Sequence, residues 1–106
     1  MTARRYAVEV TRAAERDLEG ITSYLSQRLA SPAAALKVVD EFEGLVAALE
    51  EQPHAHAAVR DELLALAGYR WAPVSTYMAF FTVDDGAGKV TVERVLHPTQ
   101  NWKAIV

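Results

Sequence analysis

The run Tyr77-Met78-Ala79-Phe80-Phe81-Thr82-Val83, then Asp84-Asp85-Gly86-Ala87-Gly88, then Lys89-Val90-Thr91-Val92-Glu93-Arg94-Val95-Leu96, decides the fold. Its first seven residues alternate with period two, yet both sides are apolar: Tyr77, Ala79, Phe81 and Val83 on one, Met78 and Phe80 on the other. A strand covered on both faces belongs in the middle of a sheet. The aspartate–glycine segment reads as a hairpin loop, and Lys89–Leu96 as the last strand. Upstream, Tyr69–Val74 is a third strand. Its Pro73 lacks an amide donor, which suits an edge position or a strand end, and Ser75-Thr76 turns the chain.

Further upstream the period changes. Tyr6, Val8 and Val10 alternate with Ala7 and Glu9, a short strand. Thr11 offers an N-cap hydroxyl, and Ala14, Leu18, Ile21, Leu25 and Leu29 then follow helical spacing, with Arg12, Glu15, Arg16 and Glu19 on the opposite side. Ser31-Pro32 starts a second helix, with an apolar stripe of Ala35, Val38, Val39, Phe42, Leu45, Val46 and Leu49, and Pro53 ends it. The short break between the helices predicts an antiparallel hairpin. Residues 54–68 carry little signal beyond a short helical turn within Arg60–Ala67. The order is therefore β-α-α-β-β-β. Packing the hairpin on a small, mostly antiparallel sheet gives a two-layer α+β domain spanning residues 1–106.

Composition narrows the function. The chain has 106 residues, no cysteine and a formal net charge of −3. Disulfides and thiolate metal sites are thereby excluded. Residues 1–53 hold six Lys/Arg against nine Asp/Glu, and residues 54–106 hold five of each, so the acidity lies in the first half. A nucleic-acid binder usually displays a basic face, and here only the Arg4-Arg5 pair is contiguous. No apolar run nears the ~20 residues of a membrane span, and the N-terminus lacks the apolar core of a signal peptide. The expected location is the cytoplasm.

Few side chains can carry chemistry. On the last strand, strict alternation places Arg94 in one row with Val90, Val92 and Leu96, and Thr91, Glu93, Val95 and His97 in the other. An arginine in an apolar row needs partners. It can pair with a carboxylate of the helical layer, reach out to solvent, or serve function, and the sequence leaves these open. His97 closes the strand before Pro98, and an imidazole at a strand end can exchange protons near neutral pH. Arg70 can grip a phosphate with two parallel bonds or pair with an acid at the sheet rim. Tyr77 offers a phenol, although core packing is the commoner use of such a tyrosine. Trp71 and Trp102 read as packing, the latter anchoring the tail with Ile105. His54 and His56 sit two apart with no third ligand nearby, which reads as loop histidines rather than a metal site.

Taken together, these pieces resemble the RelE/ParE superfamily of bacterial toxin–antitoxin modules. The likeness rests on Tyr6-Ala7-Val8-Glu9-Val10-Thr11 leading into Ala13-Ala14-Glu15-Arg16-Asp17-Leu18, on Gly68-Tyr69-Arg70, on Tyr77 to Asp85, and on Val90 to His97 with Trp102. It covers almost the whole chain. The resemblance implies a toxin of a type II system, wrapped by a cognate antitoxin and needing no metal or cofactor. Its RelE-like branch cuts mRNA at the ribosome, the 2′-OH attacking the adjacent phosphate. Its ParE-like branch binds DNA gyrase without catalysis, and a degenerate member would bind only its antitoxin. Position by position, Arg70 matches a basic residue that faces the scissile phosphate in RelE-like nucleases. His97 falls at a catalytic or substrate-facing position, and Arg94 at a commonly basic one. This chain departs from that pattern at Met78, where a basic residue is usual, at Thr82, where many members have arginine, and at Pro98-Thr99-Gln100-Asn101, where many have Gly-Arg-Arg-Asp.

Overall fold

The computed structural model describes residues 5–106, so Arg4 of the Arg4-Arg5 pair lies outside the described residues. Strand β1 (Ala7–Val10) leads into α1 (Arg12–Ser23) and α2 (Pro32–Glu51). A short helix α3 (Glu62–Leu66) precedes β2 (Arg70–Val74), β3 (Tyr77–Asp84) and β4 (Lys89–Leu96), and α4 (Trp102–Ile105) closes the chain. The four strands lie in the order β1-β4-β3-β2. β1 runs parallel to β4, and the other pairs are antiparallel. The α+β architecture read from the sequence is thus present, with β2 and its Pro73 at one edge.

Local chemistry sets the helix ends. The Ala14 amide donates to Thr11 Oγ1 at 3.1 Å, and the same hydroxyl donates to the Glu93 carbonyl at 2.7 Å. One side chain therefore starts α1 and ties that start to β4. The Ala34 amide donates to Ser31 Oγ at 3.2 Å, with Pro32 at the first helical position of α2. Between the helices, Tyr24–Arg28 widens into a π turn, and the Leu29 amide reaches the Tyr24 carbonyl five residues back at 3.1 Å. Ala30 then takes a left-handed φ of 48°, and the Ser31 amide reaches the Leu25 carbonyl at 2.9 Å. The wider turn moves Leu29 off the apolar stripe: it is 55% exposed rather than buried as the spacing predicts.

The main core lies between the hairpin and one face of the sheet. Ala14 of α1 and Val38, Leu45 and Leu49 of α2 meet Ala72, Val74, Ala79 and Phe81 of β2 and β3. The opposite face is also covered. Phe80 and Leu96 pack with Val59, under Leu64 of α3 and Trp102 of α4. Trp102 stacks on Phe80 at 5.3 Å, so it does anchor the tail, although Val106 rather than Ile105 joins that cluster. The two faces of β3 separate as its alternation predicts, with Phe81 in the first core and Phe80 in the second.

The last strand departs from strict alternation. Phe81 pairs with Val92 but Phe80 pairs with Arg94, so Glu93 is the extra residue of a β-bulge. Beyond it the parity changes. Val95 joins Val90 and Val92 in the main core, and Leu96 enters the cluster on the other face. Truncating a core ring should separate these layers. Phe81→Ala is expected to cost about 3–5 kcal/mol in urea unfolding, whereas Leu66→Ala, at a side chain 85% exposed, should stay within about 0.5 kcal/mol of the parent.

Candidate functional site

His97 follows β4 directly, and the turn after it fixes the ring. The His97 amide donates to Gln100 Oε1 at 2.8 Å, and the Gln100 amide returns to the His97 carbonyl at 3.0 Å. The Thr99 amide lies 3.2 Å from His97 Nδ1, and Thr99 Oγ1 lies 2.7 Å from the same nitrogen. An amide can only donate, so Nδ1 is an acceptor, and the proton of the neutral ring sits on Nε2. Pro98-Thr99-Gln100 thus supplies an orienting turn for the imidazole. The ring stands edge-on to Tyr77, with centroids 5.7 Å apart and planes at 80°.

His97 and Tyr77 face a cavity of about 410 Å³ between α1 and the end of the sheet. From the helix side Arg16, Gly20 and Tyr24 line it, and Gln100 contributes from the turn. Asp17 lies in the same wall. Its carboxylate accepts from Arg94 Nε at 2.7 Å, from Arg94 Nη2 at 2.8 Å and from the Val95 amide at 3.0 Å. The reason is topological. β1 ends at Val10, whose partner is Val92, so β4 has no strand beside it at Val95. An acid from α1 fills that gap. Hydrogen bonding to Asp17 holds the Arg94 guanidinium above the ordinary arginine value, burial opposes this, and the charge of Asp17 adds to it. A cation so raised contributes its stability at every pH below its unfolded value and loses it only on rising through the folded one. The arginine side of this pair is therefore constant across the acid and neutral range.

Arg70 lies elsewhere. It pairs with Phe81 on β2, and its Nη1 donates to the His56 carbonyl at 2.6 Å. Leu96 pairs with Met78 and His97 follows it, four residues along β3 from Phe81 and two strands across from Arg70, so Arg70 and His97 stand ~13 Å apart along the strands and ~10 Å across them. Of the four residues singled out in the sequence, the fold brings together Tyr77 and His97. It places Arg94 behind Asp17, and it leaves Arg70 on the far edge. The two loop histidines also part: His54 Nε2 meets Asp85 Oδ1 at 2.8 Å, and the His56 ring stands edge-on to Phe81.

Sequence reasoning missed Arg16, Gly20, Tyr24 and the role of Asp17. A signal for Asp17 was available: it falls three residues after Ala14 and four before Ile21, on the apolar side of α1. An acid in that row complements an arginine in the apolar row of β4.

Against this geometry, the comparison with protein families is decisive. Residues 8–102 match the family described as ParE toxin of type II toxin–antitoxin system, parDE. The chain belongs to the ParE toxin family. Solved structures agree on the fold. A chain of the chromosomal ParDE toxin–antitoxin system from P. aeruginosa is 23% identical with a TM-score of 0.69, covering 90% of this chain and 98% of that one. A chain of the toxin–antitoxin complex RelBE2 from Mycobacterium tuberculosis is 28% identical with a TM-score of 0.60, covering 88% and 98%. YafQ from E. coli is 15% identical with a TM-score of 0.57, covering 89% and 94%. No curated protein sequence matches the chain. This ParE-family chain is thus a toxin of a type II toxin–antitoxin system.

The Asp17 joint can be tested by unfolding. Asp17→Ala and Arg94→Ala should each cost about 2 kcal/mol, less than a fully buried pair because this one is partly solvated. A double-mutant cycle should return a coupling above about 1 kcal/mol; additive losses would mean that the contact is not a stabilising one.

Proposed function

We propose that this toxin acts without catalysis, by binding a protein target in the cytoplasm, and that the target is DNA gyrase, as in the ParE-like branch. One observation carries the reading: the cations do not converge. Arg94 is engaged on two nitrogens by Asp17, and Arg70 lies on the opposite edge of the sheet from His97. A metal-independent phosphodiester cleavage needs fixed positive charge at the phosphate, usually the largest contribution in such a site. Among the described residues, Arg16 is the one arginine that lines the cavity. The net charge of −3 adds nothing to attract a polyanion.

A second reading, an mRNA endonuclease acting at the ribosome, draws on a different observation. His97 and Tyr77 can exchange protons, and both line one cavity beside Arg16. In that scheme His97 is the acid or base and Arg70 or Arg94 holds the phosphate; for Arg94 this requires the Asp17 pair to open.

Two assays separate the readings. Purified toxin should inhibit gyrase-driven supercoiling at stoichiometric excess, and His97→Ala and Arg70→Ala should leave mRNA levels in translating extracts unchanged. Cleavage of mRNA that disappears in either variant would instead establish the nuclease.

The cognate antitoxin is the second proposed partner. Leu29, Leu36 and Val39 of the hairpin and Leu63 and Leu66 of α3 are exposed apolar side chains. An apolar helix or extended segment fits such a surface, and an acidic toxin gains little from general attraction to an acidic partner. The toxin–antitoxin complex should therefore stay associated in molar salt during size-exclusion chromatography; separation by salt alone would contradict an apolar interface.

A further inference from the structure

The cavity beside His97 has features that neither reading has used. Its charge is unbalanced. Asp17 is neutralised by Arg94, while Arg16 makes no ion pair or side-chain hydrogen bond among the described residues. A cation at the rim of a cleft whose acid is already satisfied favours an anionic group. The interior is aromatic. Tyr24 lines it from the helical side, and the edge-on Tyr77–His97 pair lines it from the sheet. Gly20 adds no side chain to the helix wall of the cleft. A Cβ built on Gly20 would meet nothing within 4 Å. Glycine inside a helix costs about 1 kcal/mol against alanine, so position 20 gives up helix stability while no close contact there requires a glycine.

We infer that this cleft is where the toxin grips its protein target, taking an aromatic side chain between Tyr24 and Tyr77 and an adjacent carboxylate on Arg16. The proposal rests on the protein-target reading and gives it a location and a ligand chemistry. A volume of about 410 Å³ accommodates a ring with its flanking backbone. A nucleic-acid strand would require several cations in a row, and the cleft has Arg16. The apolar side chains assigned above to the antitoxin, Leu29, Leu36 and Val39 of the hairpin and Leu63 and Leu66 of α3, are not among the residues lining this cleft. The occupant assigned here is therefore the target.

The test has two arms. In the first, the full chain is titrated with the capped dipeptide Ac-Phe-Glu-NH2, with its neutral counterpart Ac-Phe-Gln-NH2 and with uridine 5′-monophosphate, following backbone and His97 ring signals by NMR. The acidic peptide should shift Gly20, Tyr24 and His97, and the neutral one should bind about tenfold more weakly, the loss of one charge-assisted contact. Gly20→Leu, which fills the cleft, and Arg16→Glu should both abolish the shifts without lowering Tm. Absence of shifts, equal binding of the neutral peptide, or preferential binding of the nucleotide would overturn the inference.

In the second arm, the same variants are compared with wild type for gyrase inhibition and for antitoxin affinity. Inhibition should fall at least about tenfold, a loss of ~1.4 kcal/mol, while antitoxin binding stays unchanged. Loss of antitoxin binding with inhibition retained would assign the cleft to the antitoxin and overturn the inference. A wild-type chain that does not inhibit gyrase would remove the proposed target, and the peptide arm would still decide the cleft.

Discussion

A single carboxylate holds the two layers in register. Asp17 receives both faces of the Arg94 fork and the Val95 amide, at the point where β1 has stopped and β4 continues. Thr11 acts nearly two turns earlier in the same way, capping α1 while donating to the Glu93 carbonyl. Between them these two side chains satisfy strand groups that a longer β1 would have paired. They also set the height and rotation of α1 over the sheet. That placement determines which residues of α1 face His97.

The elements legible in the sequence are those with strong periodicity. The two faces of β3, the Thr11 and Ser31-Pro32 helix starts and the edge position of Pro73 all follow from local chemistry. What was not legible depends on events that change the period. The bulge at Glu93 moves Val95 to the core face, and nothing in Val-Glu-Arg-Val marks it. The π turn at Tyr24–Arg28 takes Leu29 out of its stripe. Of the two short helices that cover the second face, the helical turn expected within Arg60–Ala67 is α3, whereas α4 is four residues long, too short to show an amphipathic repeat.

The site was half legible for the same reason. His97 and Tyr77 are near each other because a hairpin pairs the start of β3 with the end of β4, which the sequence states plainly. Arg94 was recognised as needing a partner, but the partner lies 77 positions away on another element. Arg70 lies on β2, the neighbour of the strand that carries Tyr77. Only the register shows that it sits at the other end. In a small sheet, four residues of register separate a shared site from two unrelated corners.

The β2 edge carries a consequence for how the sheet meets other chains. The Trp71 amide donates to the Ala57 carbonyl and the Val59 amide to the Tyr69 carbonyl, so residues 57–59 already occupy the first half of that edge. The next outward-facing position is Pro73, which has no hydrogen to give. An incoming strand would find acceptors but no continuous ladder. The sheet is thereby self-terminating on this side. Copies of this toxin therefore find no continuous ladder to extend through β2, and a partner meeting this edge must do so mainly through side chains.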